Sequence, residues 1–260
     1  MLIFFDIDGT LISEKTHLMT ESTREAIRLA RAGGHICMIN TGRTGKLVGP
    51  DVTGHTEFDG LLMGCGTMIT YREKILLHQT FSREMARDII EGLRRHRIDA
   101  VLEGSQDNFR DSDDRIFSKT FLEYIHYFDY LEYKSYEEAP GNFDKFYAHA
   151  DVAAYMDAFR EEFCDRLDFV DRKKGYYEIL PKGYSKASAM SFVSKVLNIP
   201  MSETVAIGDS SNDIAMLECA GIAVAMGNAT EDVKSLADHV TTDVEDDGIR
   251  NALRWLGAIE

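Results

Sequence analysis

The fold class is decided by Leu2-Ile3-Phe4-Phe5-Asp6-Ile7-Asp8-Gly9-Thr10, in which four apolar residues run directly into an acidic turn that contains glycine. A short, entirely apolar run predicts a strand buried on both faces, as in a parallel sheet. Thr20 is a predicted helix cap, Gly33-Gly34 ends that helix, and His35–Ile39 predicts a second buried strand. This β-α-β order favours an α/β fold with right-handed crossovers.

The same alternation of elements returns near the C-terminus. The pattern predicts helices over Ser185–Leu197 and Asp213–Cys219, and strands over Thr204–Ile207 and Ile222–Met226. The segment between the two α/β stretches differs, because it is richer in aromatic residues and in polar turns. We therefore predict a catalytic core formed by residues 1–81 and 182–260, with a second α/β domain inserted at residues 82–181.

Within the inserted domain, the strongly polar residues 104–118 predict a loop, and the aromatic-rich residues 119–136 predict a helix. Two short apolar runs on either side of Lys173-Lys174-Gly175 predict a pair of strands joined by a turn.

Composition excludes several functional classes. The 260 residues carry a formal net charge of −15, which disfavours nucleic acid and anionic membranes as partners, because both need a basic surface. No apolar run is long enough to cross a membrane, and the four cysteines form no C-x-x-C pair. We expect a soluble, cytoplasmic protein with free thiols, either a monomer or a homodimer.

Three predicted strands end in polar, glycine-containing turns: Asp6–Thr10, Asn40–Arg43 and Gly208–Asp213. One such turn alone needs no function, since Asp, Asn, Gly and Ser are ordinary turn residues. Three of them at one edge of a parallel sheet predict a ligand site, because ligands bind beyond the carboxyl ends of the strands.

The charges in these turns predict a bound metal. Asp6, Asp8, Asp209 and Asp213 would converge there, and four carboxylates without compensation repel one another. A divalent cation relieves this repulsion, and an all-oxygen ligand set suits Mg²⁺. Lys186, at the start of a predicted helix, adds a positive charge, so that an anion can bind within an acidic protein.

In order and spacing, the motifs that begin at Asp6, Thr41, Lys186 and Asp209 resemble the four motifs of the haloacid dehalogenase-like (HAD) superfamily. Three features look like those of the Cof-type phosphatases, subfamily IIB. They are the inserted domain, the run Met226-Gly227-Asn228-Ala229 and the segment Glu245–Ile249. The resemblance implies a Rossmann-like parallel sheet with helices on both faces and an inserted α/β cap domain of the C2B type. It also implies a phosphatase that acts on a small phosphorylated metabolite, a sugar phosphate first of all.

Carried over residue by residue, the resemblance makes Asp6 the nucleophile that becomes an aspartyl phosphate. Asp8 becomes the acid that protonates the leaving oxygen and then the base that activates water. Thr41 would bind the phosphoryl group, and Lys186 would balance the charges of Asp6 and phosphate. An acid two residues after the nucleophile marks phosphate chemistry in this superfamily, whereas dehalogenases lack it.

The remaining motif residues concern metal and substrate. The resemblance assigns Mg²⁺ to the carboxylates of Asp6 and Asp209 and the backbone carbonyl of Asp8, with Asp213 supporting the site. Gly42 and Asn212 are expected to bind substrate. For Arg43, a substrate contact and a surface ion pair both stay open.

Two other functions stay open at this stage. A phosphotransferase or phosphomutase would use the same core and pass the phosphoryl group from Asp6 to a hydroxyl instead of water. A non-catalytic phospho-ligand-binding protein would have lost the motif acids and lysine, but Asp6, Asp8, Lys186 and Asp209 are all present.

Overall fold

The computed structural model describes residues 1–49, 52, 58–128 and 131–260. Its helices and strands, in chain order, are β1 (Leu2–Phe5), α1 (Glu21–Ala32), β2 (Ile36–Asn40), β3 (Gly60–Met63), β4 (Met68–Tyr71), β5 (Lys74–His78), α2 (Arg83–Arg95), β6 (Asp99–Glu103), β7 (Asn108–Arg110), α3 (Lys119–Tyr127), β8 (Tyr133–Ser135), β9 (Lys145–His149), α4 (Ala153–Phe163), β10 (Leu167–Asp171), β11 (Tyr176–Pro181), α5 (Lys186–Leu197), β12 (Thr204–Gly208), α6 (Ile214–Cys219), β13 (Ile222–Ala225), α7 (Glu231–Leu236), β14 (His239–Val240) and α8 (Gly248–Trp255).

The chain divides into two compact units. The first comprises Met1–Arg43, Val48–Leu77 and Ser185–Glu260, and the second comprises Thr44–Leu47 and His78–Tyr184. The predicted domain boundaries, after residues 81 and 181, lie a few residues inside those of the second unit and stay a prediction.

The first unit is built on an eight-stranded sheet in the order β14-β13-β12-β1-β2-β3-β4-β5. The strands from β14 to β3 are parallel, and β4 returns antiparallel beside β3. The predicted α/β class with a parallel core is confirmed. Strand β1 lies in the middle, so the turn that follows it opens at the centre of the sheet edge.

Both faces of this sheet are covered, which explains why β1 is apolar at every position. Ile3 and Phe5 pack into a core under α1 and α8, whereas Leu2 and Phe4 pack into a second core under α5, α6 and α7. All four side chains are fully buried. Successive side chains of a strand point to opposite faces, so a strand between two helical layers must be apolar throughout.

The second unit contains a six-stranded, mostly antiparallel sheet in the order β10-β11-β9-β6-β7-β8. One face of it packs against α2 and α4, with Leu102, Phe146 and Phe159 in the shared core. Elsewhere in the same sheet, Lys145 lies between the carboxylates of Glu103 and Glu178 at 2.7 and 2.8 Å, and all three side chains are buried.

Two predictions within this unit are wrong in detail. Residues 104–118 were expected to be a loop, but Asn108–Arg110 forms β7, which pairs with β6 through the register Leu102 to Phe109. The helix expected over residues 119–136 ends at Tyr127, and Tyr133–Ser135 forms β8 beside β7. Three-residue strands are too short to show a period, and pairing with a neighbouring strand of the sheet creates them. Tyr130, which belongs to the same prediction, lies outside the described residues.

The predicted strand pair around Lys173-Lys174-Gly175 is confirmed as β10 and β11, which pair antiparallel. All four cysteines are free thiols, as expected. Over the described ranges, no helix has the length and apolar character needed to cross a membrane.

Candidate active site

Asp6 stands at the first position beyond β1 and is almost fully buried, with 3% of its surface exposed. Its backbone N–H donates to the carbonyl of Ile207 at 3.0 Å, which continues the β1–β12 ladder by one residue. The chain then turns sharply. Gly9 takes a φ of +79°, and its N–H donates to the carbonyl of Ile12 at 2.9 Å. Glycine adopts this conformation without the steric cost that a side chain would bring.

The loop after β12 brings two more carboxylates to the same place. The Oδ2 of Asp213 accepts hydrogen bonds from the backbone N–H groups of Asp209 and Ser210 at 3.0 and 3.1 Å, which fixes the loop. Thr10 donates its hydroxyl proton to the Oδ1 of Asp209 at 3.0 Å. Gly208 makes this approach possible, because a Cβ there would lie 2.6 Å from the Cγ of Asp213.

Lys186 enters the site from the first turn of α5. Ser185 caps this helix by accepting from the N–H of Ser188 at 3.1 Å. The Lys186 ammonium donates to the Oδ1 of Asp6 and to the Oδ1 of Asp213, each at 2.6 Å, and only 2% of the residue is exposed. The lysine thus connects the end of β1 to the loop after β12.

Three buried carboxylates therefore lie close together, and one ammonium group contacts two of them. Burial and repulsion from Asp213 raise the pKa of Asp6 to about 7, although Lys186 acts in the opposite direction. Burial, together with repulsion from Asp6 and Asp213, raises the pKa of Asp209 to about 8. Burial disfavours the Lys186 ammonium, but Asp213 and Asp6 outweigh it and raise the pKa of the lysine. The site has an excess of negative charge that one more cation would compensate.

The donor set fits a divalent metal ion. Asp6, Asp209 and Asp213 each offer a carboxylate oxygen, and these atoms lie within 4.8 Å of one another. Oxygen-only ligands of this kind suit Mg²⁺, Mn²⁺ or Ca²⁺ rather than zinc. Both oxygens of Asp213 already accept hydrogen bonds, from Lys186 and from the loop backbone. Asp6 and Asp209 are therefore the residues with capacity left for a metal.

The Asp8 side chain points elsewhere. Its carboxylate pairs with both ends of the Arg43 guanidinium, with the Nε of Arg43 at 2.9 Å from Oδ2 and a second contact between Nη2 and Oδ1. Half of the Asp8 side chain is exposed, so it can meet a ligand from solvent. The structure thus brings Asp6, Asp209, Asp213 and Lys186 together, and it pairs the Asp8 carboxylate with Arg43.

The turn after β2 carries Thr41, Gly42 and Arg43, and the loop after β12 carries Asn212. Thr41 is buried, and its hydroxyl oxygen accepts from the N–H of Arg43 at 3.1 Å, while Gly42 lies between them. Asn212 lies in a 3₁₀ turn, where its Oδ1 accepts from the hydroxyl of Ser210 at 2.5 Å.

Sequence reasoning gave no role to two residues that shape the site. Thr10 holds Asp209 through its hydroxyl, as described above. Asn40, fully buried at the end of β2, donates from Nδ2 to the backbone carbonyl of Lys186 at 3.0 Å and so ties β2 to the start of α5. An uncharged polar residue at the end of an otherwise apolar strand is a signal that could have indicated a role for Asn40, since a buried amide needs hydrogen-bond partners.

Comparison with known proteins agrees with this geometry. A family model described as haloacid dehalogenase-like hydrolase matches residues 3–253. Phosphatase YwpJ of Bacillus subtilis (strain 168) is 29% identical over 98% of this chain and 99% of that protein. In the same organism, 5-amino-6-(5-phospho-D-ribitylamino)uracil phosphatase YcsE is 29% identical over 98% of this chain and 95% of that protein. The structure of the HAD subclass IIB sugar phosphatase BT4131 superposes with a TM-score of 0.82 at 26% identity, and 99% of each chain is covered.

Proposed function

The chain belongs to the haloacid dehalogenase-like hydrolase family and is a phosphatase, and from this premise we propose that it hydrolyses a small phosphorylated metabolite through an aspartyl phosphate at Asp6. The observation that carries the proposal is the buried contact between Lys186 and Asp6 at 2.6 Å, at the end of the central strand. This contact orients the carboxylate and places an ammonium group beside the position that an incoming phosphoryl group would take.

In the first step, the free oxygen of Asp6 attacks phosphorus, and the bond between phosphorus and the ester oxygen breaks. Lys186 holds the other Asp6 oxygen, so the carboxylate cannot rotate away from the attack direction. Asp8 donates a proton to the departing oxygen, which leaves as an alcohol. The phosphoryl group now sits on Asp6 as a mixed anhydride.

In the second step, Asp8 takes a proton from water, and the water oxygen attacks the same phosphorus. The bond to Asp6 breaks, which releases inorganic phosphate and restores the carboxylate. We propose that Thr41, Gly42, Arg43 and Asn212 bind the phosphoryl group. Arg43 is suited to this, since a guanidinium that pairs with the two oxygens of Asp8 matches phosphate equally well.

We further propose that Mg²⁺ binds at Asp6 and Asp209, with the backbone carbonyl of Asp8 as a third ligand and Asp213 in support. When bound, the ion neutralises negative charge on the phosphoryl oxygens. The excess of buried carboxylate over ammonium supports this proposal, as does the close spacing of the oxygens.

A sugar phosphate is the proposed substrate. Two relatives support it, because one is a sugar phosphatase and the other acts on a compound with a phosphorylated ribityl chain. A panel of phosphorylated sugars and sugar alcohols, with pyridoxal 5′-phosphate and flavin mononucleotide as alternatives, would identify the preferred class by release of inorganic phosphate.

The nucleophile is tested with Asp6→Asn, for which we expect no phosphate release, because an amide cannot form the acyl phosphate. The matched control is Asp157→Asn, an exposed acid on α4, which should keep wild-type turnover. Full activity in Asp6→Asn would refute the assignment. Transfer of phosphate to an added alcohol in preference to water would instead identify a phosphotransferase.

A further inference from the structure

The loop that follows β13 contacts both loops that carry the catalytic acids. Its backbone N–H groups at Met226 and Thr230 donate to the carbonyls of Gly208 and Asp209, at 3.0 and 3.2 Å. Between them lies Asn228, whose Nδ2 donates to the carbonyl of Gly9 at 2.7 Å. This is a contact between residues 219 positions apart in the chain. The loop therefore touches the turn after β1 and the loop after β12.

Asn228 also has a second partner. Its Oδ1 accepts from the backbone N–H of Val244 at 3.0 Å. The next residue, Glu245, accepts from the hydroxyl of Ser13 and from the ammonium of Lys15, each at 2.8 Å. The loop after β13 and the loop with Val244 and Glu245 thus both hydrogen-bond to the segment that follows Asp6. Asn228 contacts Gly9 in that segment and Val244 in the second loop.

The Cα of Gly9 lies close to the carboxylate of Asp209, one of the proposed Mg²⁺ ligands. A Cβ on Gly9 would lie 2.3 Å from the Oδ2 of Asp209, and the neighbouring hydroxyl of Thr10 donates to the other oxygen of that carboxylate. A displacement of the Gly9 carbonyl would therefore shift Asp209 or break its contact with Thr10.

We propose that Asn228 is a positioning residue that sets the Gly9 peptide against Asp209 and thereby fixes the spacing of the proposed Mg²⁺ ligands. This inference rests on the proposed function. The position requires a side chain that donates at one end and accepts at the other, and asparagine does both. Ionised aspartate can only accept, and alanine does neither.

The test compares Asn228→Ala, Asn228→Asp and the control Asn251→Ala by calorimetric titration with Mg²⁺ in the absence of substrate. Asn251 is half-buried, and it donates to the hydroxyl of Thr242 at 2.9 Å rather than to the turn after β1 or the loop after β12. We expect about tenfold weaker Mg²⁺ binding in both Asn228 variants and no change in the control, since partners that orient metal ligands typically affect affinity by about 10–100-fold.

The Asn228→Asp variant distinguishes a role in positioning the proposed Mg²⁺ ligands from a role that only holds the loops together. It keeps the acceptor for Val244 and adds a negative charge, which by itself would strengthen binding of a cation. Weaker Mg²⁺ binding in this variant therefore reports the lost contact with Gly9. Mg²⁺ affinity equal to or above wild type in Asn228→Asp would refute the proposal, as would unchanged affinity in Asn228→Ala.

Folding of the variants is expected because Asn228 is exposed and its loss leaves no buried cavity. Thermal unfolding in EDTA checks this. Should Asn228→Ala be unfolded, Asn228→Ser serves instead, since its short side chain cannot reach both partners.

The proposed function is tested separately with p-nitrophenyl phosphate. An inactive wild type that binds Mg²⁺ would refute the function, while the comparison of Mg²⁺ affinities would still decide the role of Asn228.

Discussion

The raised pKa values of Asp6 and Asp209 predict that Mg²⁺ binding releases protons. A carboxyl group must be ionised to bind the ion, so metal and protons compete for the same oxygens. With pKa values of about 7 and about 8, Asp6 is about half protonated at pH 7 and Asp209 about nine tenths protonated. Wild-type protein at pH 7 should therefore release between about 1 and 1.5 protons for each Mg²⁺ bound.

The assay is calorimetric titration with Mg²⁺ in buffers of different ionisation enthalpy, because the released protons are taken up by the buffer and add its heat. The slope of the observed enthalpy against the buffer enthalpy counts the protons. Repetition at pH 9 is an internal control, since both carboxyls are then largely ionised and the count should fall to about 0.1.

The same competition sets the pH dependence of affinity. Between pH 9 and pH 6 the apparent affinity for Mg²⁺ should fall by up to about a thousandfold, because two protons must be displaced at the lower pH. Asp157→Asn should behave as wild type. A proton count near zero at pH 7, with measurable Mg²⁺ binding, would refute the reasoning that burial and mutual repulsion hold protons on these acids.

Three further predictions concern Mg²⁺ binding and the stability of the folded protein. Gly9→Ala places a Cβ 2.3 Å from the Oδ2 of Asp209 at a φ of +79°, so Mg²⁺ binding should be lost, and urea denaturation should show a loss of about 1–2 kcal/mol from the backbone alone. Lys145→Met leaves two buried glutamates without their cation and should destabilise the protein by about 3–5 kcal/mol by the same measurement. The half-exposed Lys134→Met is its control, with an expected loss below about 1 kcal/mol. In EDTA, the free energy of unfolding should fall as pH rises from about 4 to about 8, because folded Asp6 and Asp209 hold protons that the unfolded chain has released, and saturating Mg²⁺ should remove this decline. A metal-free protein that is equally stable at pH 5 and pH 8.5 would contradict that last expectation.

The sequence was informative where a single local rule governs the structure. An apolar run that meets an acidic turn predicts a buried strand that ends in a carboxylate, and β1 with Asp6 has this arrangement. Parallel strands present their carboxyl ends at one edge, so turns that are 200 residues apart were expected to meet. Asp6 and Asp209 lie together for that reason.

Local rules failed at the short strands β7 and β8, which are defined by pairing rather than by a pattern of their own. Strand β7 has one apolar residue, Phe109, between two polar ones, and no local pattern separates it from a loop. It becomes a strand because β6 offers unpaired backbone groups beside it. The helix α3 ends at Tyr127 for a related reason, since the residues after it supply β8 to the edge of the same sheet.

The sequence by itself determined the α/β class and the meeting of the turns that hold Asp6 and Asp209, because these depend on periodicity and on chain direction in a sheet. Only the tertiary structure decided how each side chain is used. In that structure the Asp8 carboxylate pairs with Arg43, and both oxygens of Asp213 accept hydrogen bonds. Asn228 donates to the Gly9 carbonyl. These choices are hydrogen bonds between loops far apart in the chain, and their geometry exists only after the strands and helices have packed.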